Sequence, residues 1–121
     1  MRILIVDDHA AARGGLVALF EAQEGVDVVA EAENGREAVA ACKLLTPDVV
    51  LMDVRMPILD GIEATREIKA SIPSTAVVLI TAYEHDDLLR AGQQAGASDF
   101  VFKGIPGAEL VERVQAVARC T

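Results

Sequence analysis

The run DVVLMDVRMPILDGIEATREIK, Asp48 to Lys69, contains a strand, a polar strand end and the start of a helix. Residues 48–52 form a nearly continuous apolar and β-branched run, as expected of a strand buried on both faces. The run ends on a carboxylate, Asp53, which has no place in an apolar core. Asp60 has the side chain of a helix N-cap, and Ile72-Pro73 closes the helical segment behind it.

The same unit recurs on both sides. Strand-like runs stand at Arg2–Val6, Val26–Ala30, Asp48–Met52, Ala76–Ile80 and Asp99–Phe102. Helical spacing fills the gaps. Leu16, Leu19 and Phe20 share one face, as do Ala38, Ala41, Cys42 and Leu45, and later Leu110, Val114 and Val117. Glu24-Gly25, Thr46-Pro47 and Ala95-Gly96 punctuate the other helix ends, Asn34 is a second N-cap, and Pro106 stands near the start of the last helix. Five βα units predict an α/β fold, a doubly wound parallel sheet with helices on both faces and right-handed crossovers.

Four strands end on residues foreign to a core: Asp7-Asp8, Asp53, Thr81 and Lys103. The second ends in Glu31-Ala32-Glu33, which reads as a solvated connection and puts that strand outside the first. The expected order is 2-1-3-4-5, with the switch point between strands one and three. In an open parallel sheet the carboxyl ends of the strands share one edge, and ligands bind there. Three carboxylates on that edge repel each other and need a cation or a proton. All are hard oxygen donors, with no His or Cys beside Asp53, so Mg²⁺ fits better than zinc. A carboxylate nucleophile, a divalent cation, a lysine and a hydroxyl suit phosphoryl transfer to aspartate.

Composition narrows the classes. The chain has 121 residues, 52% hydrophobic and 25% charged, so it is neither disordered nor membrane-like. Its longest stretch without a charge, Ala70 to Tyr83, holds Pro73 and is too short to span a membrane. Nineteen acids against eleven bases give a net charge of −8, which argues against nucleic-acid binding by this chain alone. Cys42 and Cys120 lack metal-ligand spacing and fit a reduced, cytoplasmic setting.

The segments ILIVDDH, DVVLMDVRMPILDGIEATREIK, VVLITAY and GASDFVFK resemble the receiver domain of bacterial two-component response regulators, NarL/LuxR type. VDDH at Val6–His9, EAENGREA at Glu31–Ala38 and VFKG at Val101–Gly104 carry the subtype. The resemblance implies the flavodoxin/CheY-like (βα)5 fold and a single receiver domain over residues 1–121, the N-terminal module of a longer regulator whose output domain is absent. It implies that Asp53 is the phosphoacceptor, that Asp8 and Asp53 hold Mg²⁺ with Asp7 acting indirectly, and that Arg55 contributes its backbone carbonyl. Thr81 and Lys103 then meet the phosphoryl group, and Thr81 and Phe100 form the switch. The implied partners are a sensor histidine kinase and a second copy, docked through the fourth helix, fifth strand and fifth helix. DNA would be bound only through a C-terminal output domain, and no membrane is involved. Gly104 departs from the broad pattern, which has Pro after the lysine.

Other residues read plainly. His9 and His85 read as solvated helix-start residues, since no second His stands at ligand spacing. Cys42 lies on an apolar stripe. The fourth helix would present only Leu88, Ala91, Gly92 and Ala95 inward, and Gly92 costs about 1 kcal/mol relative to Ala, so this helix should yield most easily. Three other readings stand beside the switch. A stand-alone receiver would act by protein contact. An aspartyl-phosphate hydrolase often has a second acid two residues after the nucleophile, where this chain has Arg55. A flavodoxin-like cofactor binder needs a Gly-, Ser- or Thr-rich phosphate loop where this chain has Asp7-Asp8-His9.

Overall fold

The computed structural model describes residues 1–83 and 85–119; Cys120 and Thr121 lie outside the described residues. Strands β1 (Arg2–Val6), β2 (Asp27–Ala32), β3 (Val49–Asp53), β4 (Ala76–Thr81) and β5 (Asp99–Phe102) alternate with helices α1 (Ala10–Glu21), α2 (Gly35–Leu45), α3 (Gly61–Ser71), α4 (Asp86–Ala95) and α5 (Gly107–Arg119). The sheet order is β2-β1-β3-β4-β5 with every pair parallel, as the strand ends predict.

Alternate residues of the central strands feed two cores, because successive side chains leave opposite faces of a strand. Leu4, Val6, Val50, Met52, Val77 and Leu79 pack under α2, α3 and α4. Ile3, Ile5, Val49, Leu51, Val78 and Ile80 pack under α1 and α5, where Phe20, Leu110 and Val114 are buried. No helix among the described residues is long and apolar enough to cross a membrane.

Local chemistry sets the helix ends. Asn34 Oδ1 accepts from Glu37 N at 2.9 Å, and Asp60 Oδ1 accepts from Glu63 N at 2.9 Å. Glu37 also reaches back to accept from Glu33 N, one residue before the cap, and from Asn34 Nδ2. Thr46 and Gly96 take left-handed conformations behind α2 and α4. Ahead of α5, the carbonyl of Pro106 accepts from Glu109 N and Leu110 N.

Strand boundaries differ from the periodicity reading. β2 runs to Ala32, so Glu31 and Ala32 belong to the strand and not to a solvated connection. Ala32 is buried opposite Val6, and its carbonyl accepts from Asp7 N at 3.1 Å. An edge strand has one paired neighbour, so β2 is mostly half-buried, with Glu31 exposed between Ala30 and Ala32, and its end looks like a loop in sequence. β3 and β4 each extend one residue further, to Asp53 and Thr81.

Helix α4 is thin on its inner side, as expected: Gly92 and Ala95 are buried, and Leu88, Leu89 and Ala91 are partly so. The structure adds the reason for Gly92. A Cβ there would stand 3.0 Å from both Leu79 Cδ1 and Phe100 Cδ2, so the absent side chain lets α4 lie directly on β4 and β5. Phe100 is buried beneath this helix and packs edge-on against Phe102, with ring centroids 6.1 Å apart.

Candidate functional site

Buried strands leave their polar ends in one crevice. Val6 pairs with Met52 across the switch point, so Asp7 and Asp53, one residue further on each strand, emerge side by side. Asp7 is fully buried and Asp53 nearly so. Between them stands Lys103, whose Nζ lies 3.2 Å from Asp7 Oδ2 and 3.2 Å from Asp53 Oδ2. The main chain of Lys103 is fixed by its N–H, which donates to Thr81 O at 2.7 Å.

Several contacts brace Asp7. Its Oδ1 accepts from His9 N at 2.9 Å, and its carbonyl accepts from Arg13 Nη1 at 2.8 Å. Arg13 also pairs with Glu31, tying α1 to β2. Sequence reasoning missed Arg13. Its signal is an arginine one turn into α1, where a long side chain leans back toward the helix start.

Asp8 is the exception to this satisfaction. Its Oδ1 is buried and has no hydrogen-bond partner. Oxygen and nitrogen donors of Asp7, Asp8, His9 and Asp53 lie within 4.8 Å of one another. An orphaned carboxylate oxygen facing two other carboxylates fits a hard divalent cation such as Mg²⁺.

The electrostatics follow from this crowding. Burial pushes the Asp53 carboxyl above its ordinary value; Lys103 opposes that, and Asp7 and Asp8 add repulsion. For Lys103, burial works against the ammonium, yet Asp53 and Asp7 outweigh it and hold the group above its ordinary value. Lys103 therefore contributes stability that is complete below the usual lysine range and is lost only as pH rises through the raised value.

The remaining residues singled out by sequence sit around this centre. Thr81 is buried at the end of β4, one residue past Ile80, which pairs with Asp53; its Oγ1 accepts from Tyr83 N at 3.2 Å. Arg55 is exposed, with its guanidinium 4.8 Å from the centre of the Tyr83 ring. His9 and His85 are exposed residues at the starts of α1 and α4, as read. Gly104 has φ 106°, a conformation closed to proline, so the glycine belongs to a differently shaped loop.

Gly61 was quoted only as part of a motif, and the structure supplies its reason. A Cβ on Gly61 would stand 2.1 Å from the carbonyl oxygen of Asp53, while its N–H donates to Val54 O at 2.8 Å. The start of α3 thus rests directly on the strand end that carries Asp53. Gly61→Ala should cost about 2 kcal/mol, because backbone and not a flexible side chain must move. Thermal unfolding measures this, and an unchanged midpoint would mean that the loop yields freely.

Comparison with known proteins places this crevice in context. The family described as response regulator receiver domain matches residues 3–115. The transcriptional regulatory protein LnrK of Bacillus subtilis (strain 168) is 38% identical over 117 residues, covering 97% of this chain and 53% of LnrK. The chain spans about half the length of the curated relatives it matches. The signal receiver domain of the putative response regulator NarL from Mycobacterium tuberculosis superposes with a TM-score of 0.95 at 32% identity, covering 99% of this chain and 97% of that one. A chain of the CheX-CheY-BeF3-Mg²⁺ complex from Borrelia burgdorferi has a TM-score of 0.90 at 30% identity, covering 97% of this chain and 88% of that one.

Proposed function

Because this chain belongs to the response regulator receiver domain family, we propose that it is a phosphorylation-driven switch whose acceptor is Asp53. One observation carries the reading: Asp53 and Asp7 share Lys103 at the switch point, beside an Asp8 oxygen with no partner. An oxygen of Asp53 attacks the phosphorus of a phosphohistidine on a sensor histidine kinase, or of a small acyl phosphate. The new P–O bond forms as the bond from phosphorus to the donor breaks, and its electron pair leaves with the donor. Lys103 stands ready to neutralise charge on the transferred group, and the Thr81 hydroxyl to donate to it. Arg13 and His9 N hold Asp7 in place.

Asp8 and Asp53, with Asp7 indirectly and the backbone carbonyl of Arg55, would hold Mg²⁺, which neutralises charge on the phosphoryl oxygens when bound. The Mg in the Borrelia CheY complex supports that choice. The chain catalyses only its own phosphorylation and dephosphorylation. The hydrolase reading loses ground because Arg55 is exposed and turned onto Tyr83.

Output follows from Thr81 and Phe100. The Thr81 hydroxyl moves toward the phosphoryl group, and Phe100, beneath the gap left at Gly92, shifts with α4. The face formed by α4, β5 and α5 then pairs with a second copy and controls DNA binding through a C-terminal output module.

Beryllofluoride with Mg²⁺, a stand-in for the phosphoryl group, tests this. Amide exchange should slow across Asp86–Ala95 and around Phe100, and change far less in α2. Thr81→Ala should still accept phosphoryl from acetyl phosphate but lose most of the α4 response, and Thr81→Ser should restore it. A full response in Thr81→Ala would route the signal through Lys103 and Gly104 instead.

A further inference from the structure

We propose that His9 is an additional donor to the ion site, through Nδ1, and that it shifts the site's preference toward divalent transition ions that accept imidazole, with Zn²⁺ as the test case. The inference rests on reading the acidic crevice as an ion site, and goes beyond it in both the donor and the class of ion.

Three observations carry it. His9 Nδ1 lies 3.2 Å from Asp8 Oδ1 and 3.6 Å from Asp7 Oδ1. Asp8 Oδ1 nonetheless has no hydrogen-bond partner, so the close approach lacks hydrogen-bond geometry. Two donors beside each other on one ion, each about 2.1 Å from it, stand roughly 3 Å apart, which matches this side-by-side arrangement. Third, the His9 side chain makes no capping bond to α1, although its backbone N–H is anchored on Asp7 Oδ1. The imidazole is thus held at the mouth of the crevice and spared any role in the helix.

The chemistry then separates the ions. Mg²⁺ takes oxygen and gains little from a nitrogen donor, whereas imidazole suits zinc, nickel and copper. Oxygen sites also favour transition ions over Mg²⁺ to some degree. The informative quantity is therefore the change when the imidazole alone is removed.

The other thiol and imidazole groups can be controlled. Cys42 is buried, with its thiol pushed up to about 12 by desolvation, and does not compete for an ion. A Cys120→Ser background removes the C-terminal thiol. His85, the second histidine of the chain, serves as an internal reference.

Calorimetric titration of the whole chain with Zn²⁺ and with Mg²⁺ tests the proposal, using His9→Gln and Asp8→Asn beside the parent. His9→Gln should weaken Zn²⁺ about tenfold and leave Mg²⁺ nearly unchanged. In ¹⁵N spectra Zn²⁺ should shift His9 Nδ1 strongly and leave His85 in place. If His9→Gln weakens neither ion, or both equally, or if the His9 nitrogens ignore Zn²⁺, then His9 is an ion-pair partner of the acids and not a donor, and the oxygen site stands without it. If Asp8→Asn weakens neither ion, the crevice is not an ion site and both readings fall.

Discussion

Asp53→Asn should take up no phosphoryl group from acetyl phosphate and Mg²⁺, while folding more stably than the parent at neutral pH. Loss of uptake follows from the amide, which is not a nucleophile toward phosphorus at this position. Asp7 cannot replace Asp53, because it is fully buried and bound by Lys103 and by His9 N. Intact-mass measurement should show one added phosphoryl group on the parent, labile to hydroxylamine, and none on the variant. Equal labelling of both would remove Asp53 from the mechanism. The stability gain comes from the raised carboxyl of Asp53. Between its ordinary and its raised value the native chain binds more protons than the unfolded chain. Stability therefore falls as pH rises through that window, and the cost stands in full above it. Asparagine removes that cost at pH 7, and the advantage should shrink as pH falls through the window. A variant less stable than the parent at pH 7 would show that Lys103 depends on Asp53 more than Asp53 suffers from burial.

Lys103→Met should give the largest loss of stability among these substitutions. Methionine keeps the apolar stem but removes the cation that sits 3.2 Å from two buried carboxylates. Breaking a buried pair leaves its partner desolvated and unpaired, at 3–5 kcal/mol in typical cases. The Lys103 side chain retains 30% exposure, so solvent screens part of the loss and the lower end, about 3 kcal/mol, is expected. For a domain of this length that is roughly 10 °C in melting midpoint. The loss should be greatest at neutral pH and shrink on acidification, because the crevice can then relieve itself by binding a proton. Adding Mg²⁺ to the variant should recover part of it. Combining Lys103→Met with Asp53→Asn should cost less than Lys103→Met alone, since one of the two stranded charges is gone. If Lys103→Met melts with the parent at pH 7, the Lys103–Asp7–Asp53 cluster contributes nothing to the fold.

Much of this protein was legible in local sequence. Strand-like runs at Arg2–Val6, Val26–Ala30, Asp48–Met52, Ala76–Ile80 and Asp99–Phe102, broken by helical spacing, are enough to state five βα units, because periodicity and turn chemistry act over a few residues, and the polar strand ends then give the sheet order. The polar residues that end the strands, Asp7, Asp53, Thr81 and Lys103, were legible for the same reason, since a buried strand can end on such residues only where it leaves the core. Tertiary structure decided the rest. Nothing local says that Lys103 meets Asp7, 96 positions away, or that it divides itself between two carboxylates. The pairing of Arg13 with Glu31, the gathering of Asp8 with Asp53, and the contact of Gly61 with the Asp53 carbonyl depend on how crossovers and loops set one element against another. The end of β2 was misread because an edge strand carries only half the burial signal, and pairing with Val6, not composition, keeps Ala32 in the sheet. Local pattern specifies which residues reach the sheet edge; only packing brings them within hydrogen-bond distance.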